Sequence, residues 1–199
     1  MTRLEKPAVD EGSPKNDVPN VRRRRRLAIE WVIILFIAFG ASMILRTFVI
    51  QTFFIPSGSM EPTLWKGDRI IVDKLSVRFG TINIGDIIVF RAPSDVKTDC
   101  GDPVTDLVKR VVGLPGDHLV SKGNTIFVNG ARLDQRWSVW PTLGATPIRT
   151  MTVPRGHYFV MGDNHANSCD SRTWGTVPRS SIIGKVFLKI WPLGSIHWY

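Results

Sequence analysis

The chain has 199 residues, 26 Lys and Arg against 17 Asp and Glu, and a formal charge of +9. That length allows one domain or one and a half. The basic excess invites a nucleic-acid partner, but its distribution excludes one: residues 1–26 hold eight Lys/Arg against four Asp/Glu, and the rest is spread without an RNA- or DNA-binding signature. Two cysteines, Cys100 and Cys169, and four histidines supply no ligand spacing for a metal, so neither metal nor other cofactor is expected.

Residues 1–21 are polar, mix charges and hold Pro7, Pro14 and Pro19, and they read as disordered. Arg22 to Arg26 follow, and then Leu27 to Leu45, nineteen residues with one charge, Glu30. As a helix that run spans about 29 Å, close to the hydrocarbon thickness of a bilayer. It exceeds the usual apolar length of a cleaved secretory signal, and Arg46 follows without a clean small-x-small site. The reading is an uncleaved anchor over 27–46, with 1–26 cytoplasmic by the positive-inside rule and 47–199 on the outer face of the plasma membrane.

Beyond the anchor the pattern is β. Thr47 to Ile55 is apolar, aromatic and β-branched. Gly67-Asp-Arg-Ile-Ile-Val-Asp-Lys and Gly85-Asp-Ile-Ile-Val-Phe-Arg are strands entered by turns, and Leu107 to Val112 is another, ended by Gly113-Leu-Pro-Gly-Asp117. Thr125 to Leu133 reads as a hairpin turning at Asn129-Gly130. His157 to Met161 and Ile182 to Ile190 close the set, and no helical period is visible after the anchor. The fold class is therefore mostly β, an antiparallel domain behind one N-terminal transmembrane helix. Residues 131–154 are the least regular part and read as a surface excursion.

Three stretches bear chemistry. The first is Ile55-Pro-Ser-Gly-Ser-Met-Glu-Pro-Thr-Leu64. Pro56 and Pro62 resist regular structure, and Gly58 permits a close approach of the backbone. Such a turn can present a hydroxyl, a neighbouring N–H and a second hydroxyl, the parts of a serine nucleophile with an oxyanion site, or it can be a plain turn. The second is the strand holding Lys109. Alternation puts Lys109 on one face with Leu107 and Val111, and an amine forced among apolar groups gives up its proton more easily. The opposing reading is a lysine snorkelling from a strand edge. The third, Gly162 to Pro178, gathers Asp, Asn, Ser, Arg and Gly after a strand, with Asp170 and Arg172 spaced for an ion pair.

In that order behind an anchor, Ser-Gly-Ser-Met-x-Pro-Thr-Leu, Lys-Arg-Val-Val-Gly-Leu-Pro-Gly-Asp and Gly-Asp-Asn-x-x-Asn-Ser-x-Asp-Ser-Arg-x-Trp-Gly resemble bacterial type I signal peptidase, or leader peptidase. The resemblance runs from about Phe53 to Lys185. It implies a Ser/Lys-dyad endopeptidase that removes signal peptides from exported preproteins, cleaving after small residues. By matching motif positions it makes Ser59 the nucleophile and Lys109 the general base. Ser57 would line the oxyanion hole, Ser168 would hold the lysine amine, and Asp170 and Arg172 would form a supporting ion pair. Phe53, Ile55, Met60, Leu64, Leu107 and Val108 would line the substrate subsites. The implied partners are signal peptides and membrane lipid.

Departures from the family pattern are visible. His165-Ala166 stands where the family commonly has Arg-Asp, and there is one membrane segment where the best-studied enterobacterial form has two. The family's second β domain should be reduced here to an insert near 118–155. Three rival readings stand beside the resemblance. A self-cleaving repressor-type protease uses a similar pair but has no anchor. A pilin-maturing peptidase would share the fold, and an anchored domain with a decayed site would bind exported chains without cutting them. In an oxidising compartment Cys100 and Cys169 either form a bridge or leave Cys169 as a small buried residue.

Overall fold

The computed structural model describes residues 21–93, 100, 105–123, 125–138 and 146–199. The disordered reading of residues 1–20 and the tryptophan at 140 lie outside them. The chain divides into two compact units, Met1–Ser42 and Met43–Tyr199.

The first unit carries most of helix α1, Val21–Ile44. Leu, Ile, Val and Phe fill the helix on every side, and their side chains stand exposed from Leu27 to Met43. A helix apolar all round has no polar face to turn to water. The stretch Arg24–Val49, of 26 residues with an 18-residue window of mean hydropathy 2.3, is long and apolar enough to cross a membrane.

The second unit takes in the last two residues of α1, then a π-helical turn, Leu45–Val49, and continues as β1, Ile50–Phe54. The strand therefore starts later than the apolar pattern suggests. After it come β2 (Arg69–Asp73), β3 (Ile87–Arg91) and β4 (Asp106–Gly113). Then come β5 (His118–Lys122), β6 (Thr125–Val128), β7 (Ala131–Arg132) and β8 (Met151–Thr152). The chain ends with β9 (His157–Met161), β10 (Val177–Pro178), β11 (Ile182–Trp191) and β12 (His197–Trp198).

One sheet runs β1-β2-β11-β3-β4-β9-β10, with β12 beside β11, and a second runs β7-β6-β5-β8; every pairing is antiparallel. The mostly β expectation holds, but two short helices follow the anchor where no helical period was visible: α2, Leu75–Phe79, and α3, Ser171–Trp174. Each is too short to leave a periodic trace, and each is started by a carboxylate. Asp73 accepts from the N–H groups of Leu75 and Ser76, and Asp170 from that of Arg172.

Ile87 to Phe90 of β3 are buried without interruption, as a central strand covered on both faces must be. They feed two clusters. One joins Ile88 and Phe90 to Val111, Val160 and Val177. The other joins Ile87 and Val89 to Ile55, Met60, Leu64, Ile70, Val72 and Val186. Each fully buried apolar side chain of this size contributes about 1.5–3 kcal/mol. The second cluster anchors the Pro/Ser/Gly loop from beneath, because three of its members flank or belong to that loop. The small sheet shares a core with β4 and β9, in which Leu119, Ile126, Val128, Ile148 and Val153 join Val112, Phe159 and Met161. Its hairpin turns at Asn129 and Gly130, both at positive φ, 53° and 82°, as the primed turn of a two-residue loop requires.

Candidate active site

The serine loop leaves β1 at Ile55 and returns to β2 at Asp68. Two backbone bonds close its base: Ile55 N–H to Asp68 O and Gly67 N–H to Ile55 O, each 2.9 Å. The Asp68 carboxylate accepts from Trp65 N–H and pairs with Lys189 at 3.3 Å, so the corner is held electrostatically as well. Within the loop, Leu64 N–H bonds Met60 O, and Met60 and Leu64 plug into the core. Ser59 is thereby fixed between two buried neighbours, Ile55 and Met60, while Ser57 stays exposed.

Lys109 sits on β4 opposite Ile88 of β3, and the residue is 2% exposed. Its Nζ donates to Ser59 Oγ at 2.6 Å. The Ser57 hydroxyl reaches the same oxygen at 3.5 Å. None of the four histidines bonds the Ser59 hydroxyl among the described residues. His165 is buried, and burial holds its imidazole below the usual range, with the Arg172 cation pushing the same way.

The third segment begins where β9 ends. Gly162 lies against Ser59 O and the Ser168 side chain so closely that a Cβ there would strike both. Asn164 N–H donates to Ser59 O at 3.1 Å, and its side-chain amide to Gly58 O at 3.3 Å. Asp170 accepts from Gly162 N–H, and Arg172 grips both Asp170 oxygens at 2.8 and 2.7 Å. The same guanidinium donates to the carbonyls of His165 and Ser168. Asp170 and Arg172 are thus the buried clamp of the loop that carries Ser168. The Ser168 hydroxyl itself is buried and makes no hydrogen bond among the described residues, so the lysine-holding contact that the resemblance implies is not formed by it. It still lines one polar pocket with Ser57, Ser59 and Lys109.

A second, more apolar cleft meets the first at the dyad. Phe53, Ile55, Met60, Leu107 and Val108 line it, beside Ser57, Ser59 and Lys109. Leu64 is the exception among the expected subsite residues: it is fully buried in the core beneath and lines neither cleft. The loop turn that exposes Ser59 points Leu64 inward, where it supports the cleft floor.

Sequence reasoning missed the brace behind the dyad. Arg110 and Asp163 form a buried bidentate pair at 2.8 and 2.7 Å. Arg110 also donates to Gly85 O and to Thr63 Oγ1, and lies 4.9 Å from the Trp137 ring centroid. It therefore ties the serine loop to the third segment. Alternation held the signal: Arg110 faces away from Lys109 on a strand buried on both sides, and a buried guanidinium demands a carboxylate. A disulfide joins Cys100 to Cys169, across 69 residues, and lines the polar pocket.

The family model for signal peptidase, peptidase S26, matches residues 28–191. The probable signal peptidase I-2 of Synechocystis is 38% identical over 186 residues, covering 93% of this chain and 81% of that protein. The signal peptidase I of Leptolyngbya laminosa is 36% identical over 184 residues, covering 92% and 85%. The signal peptidase IB of Staphylococcus aureus (strain MRSA252) is 32% identical over 187 residues, covering 85% and 93%. With a serine and a lysine in contact on an antiparallel β unit, and these matches along most of its length, the chain belongs to the signal peptidase family, peptidase S26.

Proposed function

We propose that the chain is a membrane-anchored endopeptidase that removes N-terminal signal peptides from exported preproteins, with Ser59 as nucleophile and Lys109 as general base. The observation that carries this reading is the 2.6 Å contact of Lys109 Nζ with Ser59 Oγ at the junction of two clefts. With the amine neutral, its lone pair receives the hydroxyl proton as Ser59 Oγ bonds to the scissile carbonyl carbon. The tetrahedral oxyanion is met by the Ser59 N–H and the Ser57 hydroxyl; that N–H donates to nothing among the described residues. Collapse breaks the C–N bond, and the lysine ammonium returns its proton to the leaving amine. Lys109 then takes a proton from water, which attacks the ester; collapse of the second intermediate releases the acid and restores the Ser59 hydroxyl.

The substrate binds extended. Asp106 to Lys109 of β4 pair with β3 on one side, whereas β9 joins β4 only from Arg110 onward. β1 ends the sheet order, so its outer side is open too. The apolar cleft lies between these two free edges, where a peptide strand gains main-chain bonds. Its small apolar volume, about 140 Å³, favours small side chains near the scissile bond.

The membrane part of the reading rests on α1 and on Arg22–Arg26, which favour a cytoplasmic N-terminus, an anchor over 27–46 and an outer-face catalytic unit over 47–199 with its insert near 118–155. Exposed Phe54, Trp65, Trp191, Leu193 and Trp198 support contact of that unit with lipid. The test is cleavage of a purified preprotein by the full chain in detergent, with Ser59→Ala as control. A processed product whose new N-terminus lies at the signal junction supports the function, and equal processing by Ser59→Ala sinks it. Protease added outside sealed cells should digest the unit after Arg46.

A further inference from the structure

A pocket outside the catalytic clefts is lined by Phe48, Lys74, Val77, Arg78, Arg179 and Ile182, among others. Three of these lining residues are cations. Lys74 Nζ donates to Thr47 O at 3.1 Å. Arg179 donates to Tyr158 OH, Val77 O and Gly80 O, all neutral acceptors. Arg78 lies 6.0 Å from the Phe79 ring centroid. None of the three makes an ion pair among the described residues. The nearest acid in sequence, Asp73, accepts from the first N–H groups of α2.

The walls between these cations are apolar, from Phe48, Val77 and Ile182. Two exposed aromatics stand on the same elements, Phe48 at 54% and Phe79 at 80%. Thr47, which also lines the pocket, follows the last residue of the apolar run by two positions. Connectivity alone keeps it within about 7 Å of chain from the end of that run. Cations with no acidic partner among the described residues, over an apolar wall at that point of the chain, match a phosphate attached to acyl chains.

We propose that this pocket binds the headgroup of an anionic phospholipid, its phosphate between Lys74, Arg78 and Arg179 and its first acyl carbons against Phe48, Val77 and Ile182. The proposal rests on the anchored reading, but not on the peptidase activity. A lipid held there ties the catalytic unit to the bilayer surface at a second point beyond the helix.

The experiment uses the full chain in a neutral detergent, titrated with phosphatidylglycerol or phosphatidylcholine and read by native mass spectrometry for retained lipid. One phosphatidylglycerol per chain, with phosphatidylcholine not retained, is the expected result. The double variant Lys74→Gln/Arg78→Gln should bind phosphatidylglycerol at least about tenfold more weakly, given the worth of two basic groups at an anionic surface. Its turnover on a soluble signal-sequence peptide should be unchanged. Equal retention of both lipids, or undiminished binding by the double variant, overturns the proposal. So does displacement of the lipid by millimolar inorganic phosphate, which makes the site one for free phosphate. Partition of the chain into membranes resistant to carbonate extraction is read separately, so a failed anchor and a failed pocket are distinguishable.

Discussion

Lys109 and Ser59 lie fifty residues apart in sequence and 2.6 Å apart in space, the lysine on a buried strand and the serine on a loop pinned to the core. Ser59→Ala and Lys109→Met should each reduce cleavage of a preprotein below detection while the circular dichroism spectrum is retained. Because the amine acts only without its proton, turnover by the unmodified chain should climb toward alkaline pH. Near-normal turnover by Lys109→Met would transfer the base role elsewhere.

Gly162 packs against both Ser59 and Ser168. Gly162→Ala should therefore lower kcat by roughly a hundredfold, the cost of an ångström-scale displacement of a reacting group. The melting temperature should fall much less than the rate. A variant with unaltered kcat would mean that the loop shifts without moving the nucleophile.

Acid should weaken the loop that carries Ser168. His165 has its pKa lowered in the folded state, first by burial and then by Arg172. The unfolded chain therefore binds the extra proton first, and folding stability falls as pH drops below the ordinary histidine value of about 6.5. Above that value the contribution is fully present. Urea midpoints measured from pH 7.5 to 5 should decline less in His165→Gln than in the parent chain; parallel declines would assign the acid sensitivity to other groups.

Removing one half of the Arg110–Asp163 pair leaves a buried charge alone. Asp163→Asn should cost about 3–5 kcal/mol of unfolding free energy. Chemical denaturation would read this directly, and a loss under 1 kcal/mol would show that Gly85 O and Thr63 Oγ1 suffice for the guanidinium.

The Cys100–Cys169 bridge closes a separation of 69 residues. Loop-closure entropy for that length gives about 4 kcal/mol of stability, or roughly 10 °C in melting temperature for a unit of this size. Calorimetry of the Cys100→Ser/Cys169→Ser variant should show that drop, and a reductant should lower the parent chain to the same value. An unchanged melting temperature in both would remove the bridge as a stabiliser.

How far the sequence could be read depended on the range of the interactions involved. β2 and β3 were legible because β-branched runs entered at glycine turns dictate them locally, and β9 and β11 because apolar runs rich in aromatic or β-branched residues do the same. β5 was not, since His-Leu-Val-Ser-Lys offers two adjacent apolar residues and no alternation. The helices α2 and α3 escaped because four or five residues hold too little of a period to detect. The dyad was reachable from motif order. The Arg110–Asp163 brace and the burial of Leu64 depend on contacts that form only when distant strands meet, and alternation alone names neither the partner acid nor the direction in which a loop residue turns.

The Asn129–Gly130 turn offers a practical handle. It is exposed, its two residues already adopt the backbone that a primed turn needs, and it lines neither cleft nor the basic pocket. Its strands belong to the small sheet, whose core of Leu119, Ile126 and Val128 does not include the residues around Ser59. An epitope tag or fluorophore-bearing peptide inserted between Asn129 and Gly130 lengthens a surface loop at little entropic cost. The turn is thus a labelling port through which the chain can be followed in cells while the dyad stays intact.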